Sequence, residues 1–295
     1  EILIFYPLRN SGSEKCSVSY KNIFSFSLPL LYSSIFGTIQ ISSDSFFVSR
    51  YFGKEVFAEF ANGNFDLPFV SMIIGACATV LSPVFSRLSS QDINPQTEIL
   101  PIWKSVLEKS AILIYPIVLY SLFFADLIMV VLYGESYEIS SIYFRIRILV
   151  SFVNVIAIGP LLINVGYVNS YSKVHMISSI AVVVLDLITV YTIHTPYMIS
   201  IVQLLCRVLG ALYLLYIIAG YFNTKISSLF PYKTIFKVIV CSLGVLIVLR
   251  IGIGLLSLNY FSLLLISLFA FCLSYYFLSK FVGIDYYKLI KSIKD

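Results

Sequence analysis

Long uncharged runs alternate with short charged segments along the whole chain. The first, Asn22 to Ser43, carries no Asp, Glu, Lys or Arg and stops at Asp44. A charged stretch from Asp44 through Arg50 and Lys54 to Glu55 reads as a hairpin tip at a membrane end, and a second run, Leu67 to Ser86, closes at Arg87. A helix needs about 20 apolar residues to cross the hydrocarbon core of a bilayer, and both runs meet that length. The same pattern predicts further spans at about 110–132, 142–167, 174–193, 197–219, 235–256 and 260–279. The longest expected loop lies between Arg87 and Lys109, and tight turns are expected at 133–138 and at His194-Thr195-Pro196. Proline suits the first position of a helix, where its missing N–H costs nothing. The expectation is an all-α polytopic membrane bundle of about eight transmembrane helices. Transmembrane barrel strands would instead alternate over roughly ten residues.

Composition agrees. Of the 295 residues, 59% are hydrophobic and 12% charged, about half the charged share of a soluble domain. Five scattered cysteines and two histidines form no metal-ligand spacing, so no metal or cofactor is expected. Motifs for serine hydrolysis, zinc peptidases, P-loops or dinucleotides do not occur, so the chain is not expected to be an enzyme. The net charge of +5 matters through its placement and gives no reason to expect nucleic acid.

Eight spans put both termini on one side. Fourteen of the 20 Lys and Arg fall in the segments on that side, and five in the opposite ones (Arg50, Lys54, Arg145, Arg147 and Arg250). Basic residues mark the cytoplasmic face, so both termini are expected there. Ionisable residues inside the spans are costly and ask for a partner or a water-filled cavity. Arg207 lies within the sixth span and Asp186 within the fifth, and an ion pair between them competes with a cavity-facing role for Arg207. Asp44 and Arg50 sit near a membrane end, as a solvated cap or as cavity lining. Arg145 and Arg147 open the fourth span two residues apart, so at most one faces a cavity. Pro29, Pro68, Pro83, Pro116 and Pro160 mark helices able to bend or break, and freed backbone groups of that kind line cavities in secondary transporters.

Three stretches carry a resemblance. SLPLLYSSIFGTIQISSDSFFVSRYFGKEVFAEFANG (27–63), Pro83-Val-Phe-Ser-Arg87 and LIMVVLYGESYEISSIYFRIRIL (127–149) are similar to polysaccharide flippases of the multidrug/oligosaccharidyl-lipid/polysaccharide exporter superfamily. Family members resemble two lobes of six helices, often with two further helices at the C-terminus. The resemblance implies a six-helix lobe at 22–221, the second of the two, and a C-terminal helix pair with a basic cytoplasmic tail at 222–295. Residues 1–21 would then be a cytoplasmic tail or the end of a preceding span, and the opening on Glu1 fits a missing first lobe. The implied cargo is a lipid-linked oligosaccharide, the undecaprenyl-pyrophosphate repeat unit of O-antigen or capsule, moved across the bacterial inner membrane. Membrane lipids and other polysaccharide-assembly proteins are the implied partners. Guanidinium forks match phosphate oxygens, so Arg207 and one of Arg145 or Arg147 are the expected pyrophosphate contacts. Asp44 and Asp186 would pair with them or couple ion movement. A drug/cation antiporter of the same superfamily and a membrane polysaccharide polymerase are the alternatives.

Overall fold

The computed structural model describes residues 19–91, 93–284 and 286. The tail bearing Arg9, Lys15 and Cys16, together with Asp92, Lys288, Lys291 and Lys294, lies outside the described residues. Among the described residues all regular structure is helical. The helices are α1 (Tyr20–Tyr51), α2 (Gly53–Gly63), α3 (Pro68–Ser89), α4 (Pro95–Phe123), α5 (Ala125–Tyr133), α6 (Ser140–Asn154), α7 (Ile158–Asn164), α8 (Val168–Thr192), α9 (Pro196–Tyr221), α10 (Tyr232–Gly254) and α11 (Tyr260–Phe281). Eight segments of this set are long and apolar enough to cross a membrane, with α6 and α7 together making the fourth. They fall on the eight runs read from the sequence.

The differences lie at the ends and breaks. The stretch from Asp44 is no hairpin tip: α1 continues through it to Tyr51, with Asp44, Phe47 and Val48 buried. Those three continue the face that already buries Ser33 and Gln40, so packing keeps the chain helical past the charge. The turn comes at Gly53, whose φ of +88° favours glycine. After it α2 packs on α6. The expected long loop before Lys109 is largely helical as well. Asn94 caps α4 by accepting the Gln96 N–H at 3.0 Å, Pro95 takes the first helical position, and Glu98 sits in the first turn. Pro95 therefore starts a helix here instead of marking a loop, and Pro101 lies inside it.

Prolines act unequally. Pro29, Pro83 and Pro116 sit inside continuous helices. The fourth span breaks at 155–157, and Pro160 accounts for it: a helical proline removes the bond to, and clashes with, the carbonyl four residues back, here Ile156. That carbonyl instead accepts the Ile158 N–H at 2.7 Å. In lipid a released carbonyl needs a protein partner, and aromatic side chains supply it. Tyr115 donates to Phe152 O (3.3 Å), Trp103 Nε1 to Ala157 O (3.2 Å), and Tyr286 to Ile112 O (2.9 Å), the carbonyl freed by Pro116.

The main core gathers α3, α4, α6, α7 and α9 around Trp103, Phe85 and Phe144. The C-terminal helices α10 and α11 close a second core against α4 and α5, built from Tyr120, Phe124, Leu246, Phe271 and Tyr275. Helices α1, α8 and α9 pack together on the other flank.

Candidate functional site

Helices α1 and α8 run parallel, joined by hydrogen bonds at heptad intervals on both. Ser172 Oγ donates to Pro29 O, Ser179 Oγ to Phe36 O, and Ser43 Oγ to Asp186 Oδ2 at 2.7 Å. Seven residues make nearly two helical turns, so each step returns to the same face. Small hydroxyl side chains let the backbones approach and bond across helices without water. Helix α9 joins them through Gln203 Nε2, which donates to Gln40 O at 2.8 Å.

At the end of this seam two carboxylates are fully buried, Asp44 and Asp186, both at 0% exposure. Asp44 Oδ1 accepts the Ser45 N–H at 2.9 Å. Among the described residues Asp44 Oδ2 and Asp186 Oδ1 have no hydrogen-bond partner, nor has Ser200 Oγ on α9. The two acids lie within Coulombic reach of each other, and Asp44 within reach of Arg147 and Arg207.

Arg207 lines a cavity of about 330 Å³ at the break in the fourth span. Gln40 of α1, Cys77 of α3, Tyr171 and His175 of α8 and the backbone of 154–160 share that cavity. Among the described residues Arg207 forms no ion pair, and its buried Nε has no partner. The Asp186 pairing that competed for it does not form; Ser43 instead donates to one oxygen of that carboxylate. Small residues on α8 and α9 keep the two helices close here; a Cβ at Gly210 would meet Ser178 Oγ at 2.9 Å.

Arg145 and Arg147 do point to different faces. Arg145 donates to Leu122 O (3.3 Å) and Ser141 Oγ (3.1 Å) and lies 3.6 Å from Asp126. Arg147 grips Asp66 with two bonds, 2.9 and 2.8 Å, and is within Coulombic reach of Arg207. Its third donor, Nη1, is buried and unpartnered. Arg147, Arg207 and Asp44 thus lie within Coulombic reach of one another, and of these Asp186 is within reach of Asp44 alone. Arg145 sits with Asp126, and Arg50 is exposed in the last turn of α1. Sequence reasoning missed Asp66, Tyr171 and His175. His175 follows Tyr171 by four residues, one turn of α8, and the rings lie 4.5 Å apart, so that spacing was the available signal.

Residues 8–142 match a protein family described as "Polysaccharide biosynthesis protein". That match takes in the first two of the three resembling stretches and most of the third. A solved MOP superfamily transporter from Pyrococcus furiosus Vc1 (DSM3638) aligns with a TM-score of 0.51 at 21% identity. The alignment covers 78% of this chain and 52% of the other, so the chain spans about half the length of that transporter. No curated protein matches. The two findings bear out the resemblance to a polysaccharide/MOP-type exporter, with the structural likeness speaking for the fold.

Proposed function

We propose that the chain works in a flippase that carries lipid-linked oligosaccharide units, with undecaprenyl pyrophosphate as the lipid anchor, across the bacterial inner membrane for O-antigen or capsule. The carrying observation is a pair of guanidinium donors without a partner among the described residues: Arg207 Nε, at a cavity in a broken membrane helix, and Arg147 Nη1, on a side chain within Coulombic reach of Arg207. An anionic head with sugars cannot cross hydrocarbon alone, and guanidinium N–H groups match phosphate oxygens better than an ammonium does. Spans one to six form the lobe that holds this site, and α10 and α11 are the appended pair. Basic loops support a cytoplasmic side for both termini. In this reading the chain transports and does no covalent chemistry.

The test replaces Arg207 by Ala and by Lys in the full-length protein of a host lacking its own flippase. Loss of surface polysaccharide with build-up of lipid-linked repeat units in the Ala variant, and partial rescue by Lys, supports the reading. Normal surface polysaccharide in the Ala variant refutes the pyrophosphate role. A second reading, a cation-coupled drug antiporter, is favoured by the unpartnered oxygens of Asp44 and Asp186. It expects Asp44→Asn to abolish drug efflux while leaving polysaccharide untouched.

A further inference from the structure

A second polar cavity, of about 380 Å³, shares no lining residue with the Arg207 site and lies between α5, α10 and α11. Its charged wall begins with Asp126, which both Arg145 and Arg250 contact. Arg250 grips both oxygens of Asp126, and its guanidinium stands 5.6 Å from the centre of the Phe124 ring. Two guanidinium groups share this one carboxylate, so Asp126 offsets only one of their two charges. Arg250 keeps 44% of its side chain exposed, so its charge is available to a ligand.

The rim of the same cavity holds two acids, Glu135 and Glu138, on the connection from α5 to α6. Both are exposed, and neither forms an ion pair among the described residues. Tyr260, the first residue of α11, stands beside them. Arg250 lies one turn before the end of α10, so cation and acids sit where spans end and headgroups lie. Below this polar rim the walls are apolar: Val130 from α5, Ile253 from α10 and Leu263 from α11.

We propose that this cavity binds the phosphoethanolamine headgroup of a bilayer lipid, phosphate against Arg250 and ammonium against Glu135 and Glu138, with an acyl chain along the apolar wall. Each part of the ligand follows from a part of the wall. The half-exposed Arg250 guanidinium offers a site to an anion, and the two acids lining the same cavity ask for an N–H-bearing cation on the same molecule. A choline head has no N–H to donate, and one aromatic ring is too few to cage it. A glycerol head would meet two carboxylates with no charge to answer them. The apolar wall selects a lipid over a free phosphoethanolamine.

The test uses the full chain, purified in detergent, with bound lipid counted by native mass spectrometry. Phosphatidylethanolamine, phosphatidylcholine and phosphatidylglycerol are offered in turn, and free phosphoethanolamine serves as competitor. The wild type is expected to retain phosphatidylethanolamine about three- to tenfold better than phosphatidylcholine, from two exposed charge-assisted contacts. The double variant Glu135→Gln/Glu138→Gln is expected to bring that ratio close to one while leaving the lipid-free melting temperature unchanged. Both side chains are exposed, so folding is not at stake. Equal retention of the two lipids by the wild type, or an unchanged ratio in the double variant, overturns the proposal. Displacement of the lipid by an equal concentration of free phosphoethanolamine overturns the lipid as the source of the headgroup.

Discussion

Gly63 is where α2 meets α6 most closely, and adding one methyl group there gives a quantitative test. A Cβ at Gly63 would collide with the Ser140 carbonyl oxygen, lie 2.8 Å from Tyr143 Cβ and stand 3.0 Å from Phe144 N. Two of these three atoms are backbone, so no rotamer change relieves the clash and α2 must lift from α6. Overpacking of this kind costs about 1–3 kcal/mol. Replacing a helical glycine by alanine returns roughly 0.5–1 kcal/mol through the unfolded chain. Gly75→Ala serves as the reference, since nothing lies within 4 Å of its Cβ position. The difference in unfolding free energy between Gly63→Ala and Gly75→Ala isolates the steric cost, and about 1–3 kcal/mol is expected. Gly210→Ala should fall between them, because the atom it meets is the rotatable Ser178 Oγ. The assay is SDS-induced unfolding in mixed micelles, followed by tryptophan fluorescence from the single Trp103. Transport should fall too: Asp66 follows Gly63 by three residues, and lifting α2 loosens its grip on Arg147. A difference below about 0.5 kcal/mol, the range of neutral surface changes, would refute the close packing of α2 on α6.

Three further outcomes are expected. Tyr286→Phe removes the donor to Ile112 O, and should cost about 1–3 kcal/mol in the same unfolding assay, the penalty for a buried carbonyl left bare. Trp103→Phe keeps the ring but loses the bond to Ala157 O; faster hydrogen exchange of the 155–158 amides is the measurement, and unchanged exchange would count against the bond. Cys77 lines the Arg207 cavity whereas Cys241 is buried in the second core. With Cys16 replaced by Ser, a small charged thiol reagent should modify Cys77 well ahead of Cys241, and equal rates would mean that water does not reach the cavity.

The number and position of the spans were legible in the sequence. A bilayer imposes a minimum apolar length and confines charge to the ends, so each span is written locally and needs no knowledge of its neighbours. The split of Arg145 from Arg147 was legible for the same reason, since two residues on a helix are about 200° apart. What lay beyond the sequence is relational. Asp44 read as the start of a hairpin tip, and only the packing of α1 on α8 and α9 shows it buried in a continuing helix. Asp186 read as a candidate partner for Arg207, and the heptad register of two helices 143 positions apart sets it against Ser43. Pro29, Pro116 and Pro160 look alike as letters, yet only Pro160 marks a break, and the donor that meets the carbonyl released at Pro116, Tyr286, comes from beyond α11. Apolar length is a property of one segment, while partners, registers and cavities belong to several segments at once, so only the assembled bundle fixes them.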